Sequence, residues 1–322
     1  MAVETLIEKW QGKVAQVTIG ATAKDGGTRA HAVTVGGETN LPFLKEAASS
    51  AMPNKPVAAF EIWDVAPVDW PEELAALYKS VWADPFAWAQ KCVSEYKAQL
   101  LCVRLQGSHP DSGNKDAGKQ QKFIAELLKK IKVPLIIIGC GDDQQDNLIL
   151  PACCEAAKGE RCLVGSAVQD NYKTLAASAF ADGHSIIAES PIDINIAKQL
   201  NILISDMGIP LDRLVINPTI GALGYGLEYA YSIMERARLS ALSGDKMVAM
   251  PFICFVGQES SRAKESKVTI KECPDLGPEK DRACMWEALT AVSLIQAGAD
   301  ILVMRHPAAA LQINKYIEEM TA

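Results

Sequence analysis

The chain has 322 residues, of which 49 % are hydrophobic and 22 % charged. These are the proportions of a globular protein whose core is large enough to do without disulfide staples. A net charge of −7 lacks the basic face that nonspecific nucleic-acid binding requires. No stretch approaches the ~20 uninterrupted apolar residues of a membrane span, and Met1–Trp10 carries Glu4 and Glu8 in place of a signal-peptide core. A cytoplasmic location is therefore expected. The nine cysteines, an odd number, read as free thiols packed as small hydrophobes, with no disulfide framework.

The first ~55 residues do not share the β/α repeat of the rest of the chain. Val14–Gly20 and Arg29–Gly36 each alternate apolar and polar residues, and the turn-forming cluster Ala23-Lys24-Asp25-Gly26-Gly27 joins them. That pattern predicts a β-hairpin, which could cap the bottom of a barrel or bind a partner. After Pro53 and Pro56, short apolar runs recur at Val57–Asp64, Leu100–Gly107, Pro134–Cys140, Arg161–Ala167, His184–Ser190, Arg213–Thr219, Met247–Val256 and Ala299–Pro307. Helical patterns follow the strands. They are Phe86–Gln99 behind Asp84-Pro85, then Asp116–Lys132, Asp193–Gly208, Leu223–Ser243, Ala283–Gly298 and Ala308–Met320. About eight β/α units in one chain predict an α/β fold, a (β/α)₈ TIM barrel over 56–322, with 1–55 as hairpin extension and linker. The segment Val65–Asp84, with Pro67, Trp70, Pro71 and Trp82, is long and apolar. It either packs over the barrel mouth or meets another protein.

A barrel concentrates chemistry at the C-terminal ends of its strands. Those ends supply Asp64, Gln106, Gly139, Gly141, Gly165, Ser166, Glu189, Ser190, Asn217, Thr219, Gly257, Arg305 and His306. None of the strands ends in a lysine, which argues against a Schiff-base aldolase. Four histidines leave little for a metal site, and without a Cys-x₂-Cys run an iron–sulfur cluster on this chain is not expected. Cys153-Cys154 is expected to pack within a helix. Asp182-Gly183-His184 matches part of a cobalamin-binding Asp-x-His-x-x-Gly signature, but the final glycine is missing and His184 begins a strand. It reads as a core or bottom-face histidine. Gly221-Ala222-Leu223-Gly224-Tyr225-Gly226 lacks dinucleotide-loop spacing. It is either a backbone-lined platform that lets a large ligand approach closely or a simple turn. Asn217 offers donors and an acceptor to a heterocycle edge, or satisfies its own loop. Arg305 could meet a carboxamide, a phosphate or a partner carboxylate, or form a buried ion pair. Glu189 and Asp64 are candidate acids or bases.

Several longer segments carry a resemblance. They are Pro191–Ile202, Gly224–Tyr229 with Ser232–Arg236, Asp245-Lys246-Met247 with Met250-Pro251, Met304–Pro307, and Gly20-Ala21-Thr22 with Gly26–Arg29. Together, and over essentially the whole chain, they resemble the small (delta-type) subunit of the corrinoid iron–sulfur protein of the acetyl-CoA synthase/carbon monoxide dehydrogenase system. The resemblance implies a barrel similar to pterin-binding methyltransferases, paired as a heterodimer with a large subunit that carries a [4Fe–4S] cluster and a corrinoid (cobalamin). It also implies that the barrel mouth covers that corrinoid. Methyl groups would then pass from a methyltetrahydropterin methyltransferase to acetyl-CoA synthase in the reductive acetyl-CoA pathway.

Barrel topology puts the expected corrinoid contacts on Asn217, Thr219, Gly221, Gly224, Tyr225 and Gly226, and secondarily on Gln106, Gly139, Gly141, Arg305 and His306. No metal ligand and no catalytic residue is assigned to this chain, and neither nucleic acid nor membrane is expected as a partner. A stand-alone methyltransferase, with Asp64 or Asn217 near the pterin ring, shares the same fold and stays open as an alternative. So do an unrelated barrel lyase or hydrolase and a purely structural scaffold.

Overall fold

Strands whose two faces are both apolar must be covered on both sides, and a closed parallel sheet inside a ring of helices does this. In the computed structural model, which describes residues 10–42 and 52–321, the chain folds in that way. An antiparallel hairpin of β1 (Gln16–Ile19) and β2 (Val33–Gly36) comes first. The barrel strands are β3 (Val57–Trp63), β4 (Leu101–Arg104), β5 (Leu135–Ile138), β6 (Leu163–Ala167), β7 (Ser185–Glu189), β8 (Leu214–Asn217), β9 (Phe252–Cys254) and β10 (Ala299–Met304). They close in chain order, with β10 beside β3. The helices are α1 (Glu72–Ala76), α2 (Pro85–Ser94), α3 (Ala117–Lys130), α4 (Asp143–Ala156), α5 (Tyr172–Asp182), α6 (Ile194–Asp206), α7 (Leu227–Leu242), α8 (Val256–Arg262), α9 (Glu279–Gln296) and α10 (Pro307–Met320). All eight expected strands are present. The N-terminal leader reading and part of the linker fall on 1–9 and 43–51, outside the described residues.

Side-chain alternation sorts the strand residues into two shells. Ala59, Cys102, Ile136, Leu163, Ile187, Val215, Ile253 and Ile301 point inward, while Ala58, Phe60, Leu101, Val103 and Ile137 meet the helices. The hairpin joins the inner shell. Val17, Ile19 and Val35 are fully buried in the same cluster, so the hairpin plugs the N-terminal end. Each such aliphatic contributes roughly 1.5–3 kcal/mol of burial. A polar fastening adds to it. Arg29 donates to Glu160 Oε2 at 2.8 Å and to the carbonyl of Leu128 at 2.6 Å, which binds the turn to the end of α3. His184 is wholly buried near this end. Its Nδ1 accepts from Cys162 N–H at 3.1 Å and its Nε2 lies 2.9 Å from the Cys154 carbonyl, so it is a core histidine. Burial holds its pKa below the usual value.

Capping residues start the helices where the sequence indicates. Asp84, Asp116 and Asp193 each accept backbone N–H bonds at an N-cap. Three extents differ from expectation. The helix expected over Phe86–Gln99 stops at Ser94, and Lys97 turns the chain at φ +57°. The one expected from Leu223 starts at Leu227, because Gly224 and Gly226 sit at φ +78° and +88°. The one expected from Ala283 starts earlier, at Glu279, and between β9 and this helix lie the seven-residue α8 and an irregular segment over 263–278. That segment is tied down by Arg282, which donates to the carbonyls of Glu265, Val268 and Gly277.

Candidate functional site

One step above the apolar inner shell, the inward positions become polar. Arg104, Glu189, Asn217 and Arg305 line the floor of a cavity of about 570 Å³ at the C-terminal end of the barrel, with Trp63, Ile138 and Phe255 among its walls, and Glu61 lies buried behind the two arginines. This is ordinary small-molecule size.

Two arginines share one carboxylate there. Glu61 is fully buried and accepts from Arg104 Nε at 2.7 Å, from Arg305 Nε at 2.7 Å and Nη2 at 3.2 Å, and from Trp63 Nε1 at 2.9 Å. Burial alone would favour the neutral acid, but the two guanidinium groups outweigh it and hold the carboxyl well below the usual range. Arg305 is fixed on every side. Its Nη1 donates to Ser261 Oγ at 2.8 Å, and its guanidinium lies 4.8 Å from the Trp70 ring centre and 5.4 Å from that of Trp63. Its carbonyl accepts from the Tyr78 hydroxyl at 2.6 Å, and its N–H donates to Glu287 at 2.7 Å. Trp70 and Tyr78 come from the long segment after β3, which packs an aromatic cluster with Trp63 and Trp88 beside the mouth. Val68 and Asp69 of the same segment line the cavity.

The facing wall is acidic. Asn217 Nδ2 donates to Glu189 at 2.9 Å, and its Oδ1 accepts from Thr219 N–H at 3.1 Å. Asp146 accepts from the N–H groups of Cys140 and Gly141, and burial raises its pKa. A Cβ on Gly139 would collide with that carboxylate, so the glycine is what lets Asp146 reach the loop.

Of the expected contacts, Gln106, Gly139, Gly141, Asn217, Thr219 and Arg305 line this cavity, as do Ser166 and Glu189. Gly221, Gly224, Tyr225, Gly226 and His306 do not. The glycine segment forms a tight turn on the rim, where the Tyr225 hydroxyl accepts from Lys264 N–H at 3.0 Å. His306 faces a separate small void with Ser260 and Glu287, and burial depresses its pKa to about 4. Asp64 is occupied structurally, accepting from Gly107 N–H, Gln120 Nε2 and Lys115 Nζ. Gly165 and Gly257 allow close packing against Ile187 and the Arg305 backbone, and Ser190 is buried, its N–H donating to the Asn217 carbonyl at 3.0 Å. Glu61, Arg104, Asp143, Asp146 and Gln258 are absent from the sequence-based set. A charged residue inside an otherwise apolar strand, as in Val57–Trp63 and Leu101–Arg104, is the signal that marks the first two.

Residues 16–315 match the family model described as CO dehydrogenase/acetyl-CoA synthase delta subunit. The acetyl-CoA decarbonylase/synthase complex subunit delta of Methanocaldococcus jannaschii is 33 % identical over 305 residues, covering 94 % of this chain and 73 % of the relative. The subunit of the same name from Methanosarcina mazei is 35 % identical over 306 residues, covering 94 % and 69 %. Among solved structures, a dihydropteroate synthase from Xanthomonas albilineans in complex with 7,8-dihydropteroate superposes with a TM-score of 0.54 at 14 % identity, over 82 % of this chain and 94 % of that one. At that identity the likeness shows the barrel fold alone. The match along nearly the whole barrel, at the level of these relatives, makes the chain a member of the CO dehydrogenase/acetyl-CoA synthase delta subunit family.

Proposed function

We propose that this chain is the barrel half of a methyl-carrying corrinoid iron–sulfur assembly, its mouth covering a corrinoid held by a larger partner subunit that also carries a [4Fe–4S] cluster. The observation that carries this reading is the open mouth itself: a polar floor beneath a rim of little side-chain bulk at Gly141, Gly224 and Gly226. A Cβ built on Gly141 would meet no atom within 4 Å, and Val68 and Tyr225 stand exposed. A macrocycle fringed with amide groups needs both donors and acceptors around it. Arg104, Gln106, Gln258 and Asn217 bring N–H groups to the lining and Glu189, Gln106 and Asn217 bring oxygens, so the residues fit the group. The cobalt of such a corrinoid, when bound, carries the methyl group. The protein's share is to orient the macrocycle's edge, to keep bulk water from one of its faces and to separate again when the methyl group moves on. A methyltetrahydropterin methyltransferase and acetyl-CoA synthase are the partners for those two transfers.

The test is anaerobic purification from the native host, read by native mass and visible absorption. A heterodimer with corrinoid and iron–sulfur bands, both lost when the partner is stripped away, supports the reading. A colourless homo-oligomer that binds a methyltetrahydropterin overturns it in favour of a stand-alone methyltransferase.

A further inference from the structure

The two arginines at the floor of the mouth are unequally paired. Two guanidinium groups, Arg104 and Arg305, share the single carboxylate of Glu61. Every nitrogen of the Arg305 guanidinium has an acceptor: Nε and Nη2 go to Glu61 and Nη1 to Ser261. Arg104 differs. Its Nε donates to Glu61 and its Nη2 to the neutral amide oxygen of Gln258 at 2.7 Å, while nothing among the described residues accepts from Nη1. Arg104 lines the cavity, and its guanidinium lies 5.5 Å from the Phe255 ring centre. Glu189 adds its field from across the barrel but makes no ion pair with Arg104 among the described residues. Lys267 also lines the cavity, as do Arg262 and the Glu259 carboxylate it is paired with at 2.8 Å. A half-buried guanidinium beside an aromatic ring, in a cavity with room for a ligand, keeps one open donor nitrogen even though carboxylates outnumber cations along the lining.

We infer that the floor of the barrel mouth is a subsite for a small oxyanion, the carboxylate or phosphate group of an organic ligand, taken by Nη1 and Nη2 of Arg104. Gln258 Oε1 occupies the place of one ligand oxygen and gives way to it, because a charged acceptor outcompetes a neutral amide at a guanidinium. Glu61 and Arg305 are positioning residues that fix the plane of the fork. The inference concerns the depth of the cavity and does not rest on the corrinoid reading. A group covering the mouth would lie above this subsite, so either proposal can fail alone.

The full-length chain, free of corrinoid, is titrated by calorimetry with inorganic phosphate and, separately, with succinate at low ionic strength. Single-site saturation by either probe supports the subsite, and the probe that saturates tells whether it suits phosphoryl or carboxylate groups. Gln258→Glu leaves every existing charge pair in place and offers Arg104 an internal carboxylate. It should weaken binding at least ~10-fold, at a stability cost limited to the lost Gln258 Nε2–Glu259 hydrogen bond. Arg104→Gln should abolish saturation. If neither probe saturates, or if both variants bind as the parent does, the subsite does not exist.

Discussion

The two ends of the barrel solve the same problem with opposite arithmetic. Each buries an arginine–carboxylate cluster. At the mouth, two arginines meet one carboxylate. At the plugged end, Arg238 meets two, with its Nη2 3.1 Å from Asp300 and its Nη1 3.6 Å from Glu38. Arg238 also donates to the Gly298 carbonyl at 2.6 Å, and Asp300 accepts from Phe252 N–H at 2.7 Å. Neither Glu38 oxygen has a hydrogen-bond partner among the described residues. An excess carboxylate in a closed site can neutralise itself by keeping a proton. Accordingly, burial, with the neighbouring Asp300 charge, pushes Glu38 up to about 8. An excess arginine has no such escape, since its proton is never given up. Its remaining charge must face solvent or a ligand. Charge ratio thus separates an end built to stay shut from an end built to receive.

The largest effect expected from breaking this contrast is at Glu61. Replacing it by alanine leaves two buried guanidinium groups without their shared carboxylate, and should destabilise the fold by ~3–5 kcal/mol, read from the urea midpoint. Glu61→Gln keeps the volume and one acceptor and should cost less. Equal losses in the two variants would mean that packing at Glu61, and not its charge, holds the mouth together.

The plugged end predicts a pH dependence of definite sign. Glu38 has a folded pKa raised from 4.5 to about 8, so the folded state binds its proton more tightly than the unfolded state does. Its contribution is fully present below about 4.5 and is lost as pH rises through about 8. The slope can reach ~1.4 kcal/mol per pH unit within that window. Glu287 acts with the same sign, because burial raises it to about 7 against the pull of the Arg305 and His306 N–H groups. Thermal unfolding of Glu38→Gln should match the parent near pH 4 and exceed it above pH 8. Part of the remaining slope belongs to Glu287 and should be removed in the double variant with Glu287→Gln, leaving the opposite-signed contributions of His184 and His306, whose folded pKa values are depressed. Parent and Glu38→Gln curves that run parallel from pH 5 to 8 would show that Glu38 is ionised in the folded state.

The contrast between the ends was only half visible in the sequence. The strands were legible because both their faces are buried, which leaves near-continuous apolar runs, and the hairpin because only one of its faces is. The same double burial hides which strand residues point inward, since no polar alternation marks the inner face. The end-of-strand rule therefore found Asn217, Thr219 and Arg305, which line the mouth. It also collected Asp64 and His306, whose side chains turn into the helical layer. It passes over Glu61, which lies inside β3, and Arg104, which ends β4 within the longer apolar run expected there; the two pair across the neighbouring strands. The Glu38 cluster joins residues from the first and last thirds of the chain, and no local pattern announces it. The glycines at 224 and 226 leave a platform and a simple turn both open in the sequence; in the structure they form a tight turn, and their positive φ values delay the helix start from Leu223 to Leu227.

The smallest effect tests whether the two ends are independent. Ile19→Val removes one methylene from the plug, where Ile19 is fully buried against the inner shell. It should cost ~0.5–1.5 kcal/mol without changing oxyanion binding at the mouth. Combined with Arg104→Gln, its stability loss should add to within ~0.5 kcal/mol, as expected of distant sites that share no partner. The column of inner residues between them, from Ala59 and Cys102 up to Phe255, is apolar and close-packed. Such a column transmits strain, but it offers no titrating or hydrogen-bonded relay. A larger departure from additivity, measured by urea unfolding of the four proteins, would mean that seating the hairpin sets the shape of the mouth, and the closed end would then be part of the receiving one.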